Sequence, residues 1–218
     1  MSEQPAVSPA VSVVIPTLRR PRLLLRALRS VLAQTFHQLE VIVVVDGPDE
    51  ETEAVLAGIR DPRLRVVVNP RSLTAAGARN AGAAHARGLW IAFLDDDDEW
   101  LPDKLEKQVA FGRDRGAVLI SCLSHVITPT AIFVWPERMY SNAVPVGDYL
   151  FDRRSAFAGS SFLQTSSYLL PRSVYEKSPF RTGCADHDDW DFLLRLSKEQ
   201  GVPIETIPEA LVRVHLED

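Results

Sequence analysis

The stretch "LWIAFLDDDDEW", Leu89 to Trp100, decides how the whole chain is read. An apolar run is followed at once by four aspartates, Asp95 to Asp98. A continuous apolar run fits a strand covered on both faces, as in a parallel sheet. Adjacent carboxylates raise the cost of ionising one another. Two readings follow. Either something cationic sits at the strand end, or the run is a solvated acidic turn, the usual fate of charge runs.

Upstream of this strand the pattern alternates. "VSVVIPT" (Val11 to Thr17) reads as a buried strand, and "RPRLLLRALRSVLAQ" as a helix, with Leu23, Leu24, Ala27, Leu28, Val31 and Leu32 at helical spacing. "LEVIVVVDG" is a second strand, "DEETEAVLAGIR" a helix opening with acids at its positive end, and "LRVVVN" a third strand. "TAAGARNAGAAHARG" reads as a small-residue helix ending at Gly88. Strand and helix in alternation predict an α/β fold with a mostly parallel sheet flanked by helices, Rossmann-like in its first half. In such sheets ligands bind outside the carboxyl ends of the strands. Those ends carry Pro16-Thr17, Asp46-Gly47, Asn69-Pro70 and Asp95 to Asp98.

The second half is less regular. "PDKLEKQVAFGRDRG" predicts a helix and "AVLISCLSHVI" a strand. "TPTAIFVWPERMYSNAVPVGDYLFDRRSAFAGSS" mixes loops with a short helix, and "FLQTSSYLLP" reads as a strand. "HDDWDFLLRLSKEQG" is an amphipathic helix with acids at its start, and "VPIETIPEALVRVH" reads as terminal strands. Residues 1–10 predict a disordered lead-in, and residues 11–218 one domain, with a regular half over 11–100 and a less regular half over 101–218.

The chain has 218 residues and a net charge of −5, which argues against nucleic acid as a partner while leaving room for a local basic pocket. Cys122 and Cys184 show no metal or disulfide spacing, so a reducing, cytoplasmic setting is expected. No apolar run approaches a membrane span, which leaves a peripheral membrane contact open.

Each remaining constellation has a plain reading beside a functional one. Clustered strand-end carboxylates are hard oxygen ligands for Mg²⁺ or Mn²⁺, which bind through a few carboxylates plus phosphate oxygens. Asp46 serves either as an acceptor for base or ribose groups or as part of an Asp-Gly turn. The glycines of "GARNAG" pack a helix closely on a sheet, which leaves Arg79 and Asn80 unaccounted for; Arg79 would bring positive charge to an anionic ligand. Asp186, Asp188 and Asp189 exceed what helix capping needs. A carboxylate beside others has a raised pKa, which suits a general base. His215 alone is an ordinary histidine unless the last strand returns to the acidic edge.

In the order "VIPT", "VVVDG", "GARNAG", "IAFLDDDDEW", "DDWDFLLRL", these motifs resemble the family 2 glycosyltransferases of the GT-A fold. The resemblance runs from Val11 to His215. It implies a metal-dependent, inverting transfer of a sugar from a nucleotide donor, UDP favoured over dTDP or GDP, to an acceptor hydroxyl in polysaccharide or glycoconjugate synthesis. It implies that Pro16, Thr17 and Asp46 line the nucleotide pocket and that Arg79 lies at the donor. Asp95 and Asp96 would contact ribose or sugar, and Asp97 would bind Mn²⁺ or Mg²⁺, with His215 as a second ligand. Asp189 would be the base, with Asp188 in the place of the family's usual glutamate. The acceptor, a saccharide or lipid-linked, would meet residues 128–165, where Trp135, Tyr140, Tyr149 and Phe157 either stack on sugar or pack the core. The rival readings are a nucleotide-sugar-binding module without turnover and, more remotely, a phosphohydrolase or nucleotidyltransferase. The first strand ends without the acid or the glycine-rich loop those last two need.

Overall fold

The computed structural model describes residues 8–116, 118–152, 161–183 and 187–216. Cys184, Asp186, Phe157 and residues 1–7 of the expected disordered lead-in lie outside the described residues. Ala10, included in that lead-in, is pinned: its N–H donates to Gln38 O at 2.8 Å and its carbonyl accepts from Trp90 N–H at 3.0 Å.

The alternation predicted for the first half is found. It runs β1 (Val11–Thr17), α1 (Pro21–Leu32), β2 (Leu39–Val45), α2 (Glu50–Ala57), β3 (Leu64–Val68), α3 (Thr74–Ala83) and β4 (Trp90–Phe93). These strands pair in parallel in the order β3-β2-β1-β4. Every residue of β1 and β2 is buried, because helices cover both faces. Leu24, Ala27, Leu28 and Val31 of α1 pack on one face, beside Val13, Ile15 and Val43. Ala76 and Ala78 of α3 pack on the other, beside Val14, Ile42 and Val44. Burying each valine, leucine or isoleucine among these is worth about 1.5–3 kcal/mol and each alanine methyl about 0.8, so the two layers hold the sheet from both sides. The edge strand β3 is only half covered, and Val66 and Val68 stay exposed.

The second half extends the same sheet. It adds β5 (Glu99–Trp100), α4 (Lys104–Gly112), β6 (Leu119–Ile127), β7 (Ile132–Trp135), α5 (Val146–Phe151), β8 (Leu169–Pro171), α6 (Arg172–Tyr175), α7 (Asp188–Gln200) and β9 (Ile204–His215). The full order is β3-β2-β1-β4-β8-β6-β9-β5, with β7 on the outer side of β6. The long ladders, β1 with β2 and β6 with β9, are parallel, and the short pairings in this half are antiparallel.

Three elements depart from the sequence reading. "FLQTSSYLLP" is a strand only at Leu169–Pro171; Thr165–Ser167 form a buried 3₁₀ turn. Side-chain bonds there compete with the ladder: Ser166 Oγ donates to Asp98 and Ser167 Oγ to Gln164 O. The terminal segment is one strand, not several. Its pairing slips between Ile207 and Ala210, leaving Pro208 and Glu209 in a bulge. Proline has no N–H for a ladder, so a bulge is where a strand accommodates it. Helix α3 stops at Ala83, short of Gly88. A Cβ on Gly88 would lie 2.7 Å from Ser12 N, so this glycine serves close approach to β1.

The close seat of α3 on the sheet gives a direct test. A Cβ on Gly82 would fall 2.4 Å from Val14 Cγ1 and 2.9 Å from Val44 Cγ2. Alanine favours a helix over glycine by about 1 kcal/mol, but overpacking costs about 1–3 kcal/mol. Gly82→Ala is expected to lower unfolding free energy in urea. Gly58→Ala, where the added Cβ meets nothing nearer than Val55 O at 3.4 Å, should leave it level. Equal stability for both variants would show that α3 can retreat from the sheet.

Candidate active site

The sheet order reverses at β1: β2 and β3 lie on one side, β4 on the other. A crevice opens at such a switch point, outside the strand ends. Here it is a cavity of about 320 Å³ lined by Pro16, Thr17, Arg20, Asp46, Arg79 and Asp95 to Asp97, among others.

The four aspartates form one tight turn, with Asp98 N–H donating to Asp95 O at 3.1 Å. The turn sends each carboxylate to different partners. Asp95 Oδ1 accepts from Arg79 Nη2 at 2.6 Å. Asp96 is buried and accepts from Thr17 Oγ1 at 2.7 Å and Arg20 Nη2 at 2.8 Å. Asp97 is the most open of the three that line the cavity, its Oδ2 2.9 Å from Arg20 Nη1. Asp98 turns inward, away from the cavity, and accepts from Ser166 Oγ at 2.6 Å and from Gln164 Nε2. Burial pushes Asp96 up to about 6 and Asp98 well above the carboxylate range, with neighbouring aspartates adding to both.

Arg79 is the joint of the site. Its side chain is about 6% exposed, with one Nη on Asp95 and the other 2.9 Å from Asp188 Oδ2. Burial alone would weaken its charge, but Asp95 and Asp188 more than reverse that and hold the guanidinium firmly protonated. Both Nη groups thus face carboxylates, and Arg79 links the end of β4 to the start of α7. Asp189, next along α7, accepts from the Trp190 N–H at 2.9 Å. Burial pushes it up to about 6, with Asp188 adding to the rise.

Asp46 is both acceptor and turn. Its carboxylate receives bonds from Asn69 Nδ2, Ser72 Oγ and the Leu73 N–H at 2.8–3.0 Å, which fix the loop between β3 and α3. Gly47 follows with φ +114°, a conformation that favours glycine. Two non-glycine residues flanking the cavity, Arg19 (φ 55°) and Thr74 (φ 70°), hold left-handed backbone. For a β-branched threonine that is a strained conformation, of order 1–3 kcal/mol.

His215 does not join this group. Its Nε2 lies 2.8 Å from Glu99 Oε1, where Arg26 and Arg213 also approach. Among the described residues no three His, Cys, Asp or Glu side chains are grouped to hold a metal ion. Of the aromatics that would either stack on sugar or pack the core, Tyr140 and Tyr149 are buried in the core, and the partly buried Trp135 stacks on Phe162 at 4.4 Å. Sequence reading missed Arg20, Glu99, Gln164 and Ser166. The basic "PTLRRPR" was the available signal for Arg20; nothing in spacing pointed to Gln164 or Ser166.

Residues 12–183 match the family described as Glycosyl transferase family 2, and the chain belongs to that family. The fold is of the GT-A type. The chain is 35% identical over 46% of its length to WfgD of Escherichia coli, a "UDP-Glc:alpha-D-GlcNAc-diphosphoundecaprenol beta-1,3-glucosyltransferase". It spans 40% of that relative and 31% to 73% of two others. Among solved structures, residues 1–349 of S. aureus TarS in complex with UDP-GlcNAc match 95% of this chain and 59% of that one, at TM-score 0.73 and 16% identity. The mannosyltransferase PcManGT of Pyrobaculum calidifontis, solved with GDP-Man and Mn²⁺, matches 96% of this chain and 57% of that one at TM-score 0.70 and 18% identity.

Replacing Arg79 tests its central position. Arg79→Met leaves Asp95 and Asp188 facing each other without a cation, and both are partly exposed. A loss of about 1–3 kcal/mol in unfolding free energy is expected, below the cost of breaking a fully buried pair. The Asp189 pKa should rise further, because Arg79 now holds it down. An unchanged carboxylate titration by NMR would show that Arg79 does not couple the two acids.

Proposed function

We propose that this chain transfers a glycosyl group, with inversion, from a nucleotide-sugar donor to an acceptor hydroxyl in polysaccharide or glycoconjugate synthesis. The observation that carries this reading is the Arg79 bridge, which joins Asp95 of the switch-point cavity to Asp188, the neighbour of Asp189, a partly buried acid with raised pKa. A UDP-sugar is the favoured donor, since WfgD is named for UDP-Glc and TarS is complexed with UDP-GlcNAc. A lipid-linked acceptor, as in WfgD's name, would be met at a membrane surface, which supports a peripheral membrane contact for this chain. No helix among the described residues is long and apolar enough to cross a membrane.

The base half of the mechanism belongs to Asp189. As a carboxylate it accepts the proton of the acceptor hydroxyl while that oxygen bonds to the anomeric carbon. The bond from that carbon to the diphosphate oxygen breaks, and its electron pair leaves on the nucleoside diphosphate. A pKa of about 6 leaves Asp189 ionised at neutral pH yet basic enough to help, the compromise general bases need. Pro16, Thr17 and Asp46 line the cavity where the nucleotide would lie. Arg79 acts through Asp95 and Asp188 as a positioning residue.

The donor set fits Mn²⁺ or Mg²⁺. Asp97 and Asp95 offer hard oxygens at the cavity wall, suiting a cation held by few carboxylates and completed by phosphate oxygens, not a cage of protein ligands. Such a cation would neutralise the departing diphosphate. His215, engaged with Glu99, contributes at most from outside this set.

Calorimetric titration of UDP, dTDP and GDP, with and without Mn²⁺, tests the donor half. UDP is expected to bind in a Mn²⁺-dependent manner that Asp97→Ala abolishes; absence of any nucleotide binding would sink the reading. Asp189→Asn tests the base. Turnover should fall by about 10²–10⁴-fold with UDP binding retained. In the wild type kcat/KM should fall as pH drops below about 6, because protonation removes the base. A protein that binds UDP but shows no turnover with any sugar donor would be the binding module instead.

A further inference from the structure

One face beside the cavity carries a charge at odds with the acidic chain. Arg22, Arg26 and Arg29 follow one another at i, i+4 and i+7 along α1, a single stripe of the helix. Arg26 and Arg29 line an open groove with Arg213 of β9 and with Glu99. Arg22 and Arg29 are exposed, and among the described residues no carboxylate pairs with either. Among the described residues, the acids near this face have partners of their own: Glu99 with Arg26, Arg213 and His215, Glu106 with Thr35, and Asp103 and Glu209 with Lys107.

The register joins this basic groove to an apolar tip. Glu99 lies opposite Arg213, Arg213 opposite His125, and His125 opposite Val134. Two residues along, His215, Ile127 and Ile132 form the next row on the same face. Strand neighbours share a face, so arginine and exposed aliphatics stand side by side, with β7 about 10 Å from β9. At the tip Ile132 is 67% exposed, and Leu216, bonded through its N–H to Ile127 O, is 60% exposed. Val134 and Phe133 beside them are also exposed.

We propose that this face docks on an anionic phospholipid surface, the arginines against headgroups and the β6–β7 tip inserted into the interface. Clustered arginines are attracted to anionic lipid and exposed aliphatic side chains gain by leaving water, and a surface with both is built for that boundary. An acidic partner surface would suit the arginines alone, and an uncharged apolar one the tip alone. The placement also orients the cavity: Arg26 Nη2 donates to Asp97 O at 2.6 Å, so the groove and the metal-ligand candidate share one wall. A lipid-anchored acceptor would then meet the site from the docked side.

The test is flotation of the full chain with vesicles of phosphatidylcholine alone or mixed with phosphatidylglycerol. Binding is expected only to the anionic vesicles and should be lost at high salt. Arg22→Gln/Arg29→Gln/Arg213→Gln should reduce partitioning about a hundredfold, taking about fivefold per arginine. Ile132→Ser/Val134→Ser should weaken it while leaving the salt dependence in place. UDP binding by each variant verifies that the fold and donor site persist. Equal binding to neutral vesicles, no binding to either, or full binding by the arginine variant would overturn the proposal. Self-association of the chain without lipid that Ile132→Ser abolishes would assign the tip to a second copy and overturn it too. The assay needs neither donor nor acceptor, so its failure and the failure of the glycosyl-transfer reading are separate results.

Discussion

Four adjacent carboxylates cannot share one small volume as anions without counter-groups, and the site is organised around that constraint. The turn from Asp95 to Asp98 disperses them, and each direction requires a different segment of the chain. Asp95 requires Arg79 of α3, and through it the start of α7. Asp96 requires Thr17 and Arg20, the end of β1 and the loop into α1. Asp98 requires Gln164 and Ser166 beside the 3₁₀ turn. One short turn thus ties segments far apart in sequence, and repulsion that would open an isolated turn becomes the reason those segments meet. Asp97, paired with the half-exposed Arg20, is left nearest solvent, with Asp95 partly exposed beside it. The acid run is a turn, as one reading of its sequence had it, but a largely buried one and not a solvated one.

Strand order supplies the second constraint. The turn can act as a hub only because β4 ends beside β1, with β2 on β1's other side. That places Thr17, Asp46 and Asp95 at the ends of three neighbouring parallel strands, about two strand spacings from first to last. The glycines of α3 complete the arrangement. With Gly82 against Val14 and Val44, the helix sits close enough for Arg79 to reach the strand end. A wider residue at 82 would push α3 outward, moving the guanidinium away from Asp95.

The first half was legible because its elements follow strict periods. Seven-residue apolar runs and helical spacing left one architecture, and that architecture fixes where strand ends meet. The second half was less so. Its strands are short or antiparallel, and the segment holding Gln164, Ser166 and Ser167 is shaped by side-chain bonds to residues tens of positions away, which no local pattern carries. The site follows the same division. Asp95, Arg79 and Asp189 were visible as surplus charge, more than packing or capping needs. Arg20 was not, because its bond to Asp96 depends on the left-handed turn at Arg19. His215 was placed by family likeness, and its partner, Glu99, is set by the antiparallel pairing of a two-residue strand with β9.

The position of Asp188 shows why resemblance at a motif differs from identity of role. Where the family's pair usually opens with a glutamate, this chain has the shorter side chain, and its carboxylate is directed at Arg79. A side chain one methylene longer would have to fold back to make the same bond at 2.9 Å. Asp188 therefore acts on the next residue in two opposed ways. Its own charge raises the pKa of Asp189, while the guanidinium it helps to hold lowers it. Burial exceeds both and leaves Asp189 near 6. Asp95 and Asp188 thus share one cation, and the two hydrogen bonds through Arg79 connect the strand end to the residue before Asp189. The charges of Asp95, Arg79, Asp188 and Asp189 are, in this chain, electrostatically coupled.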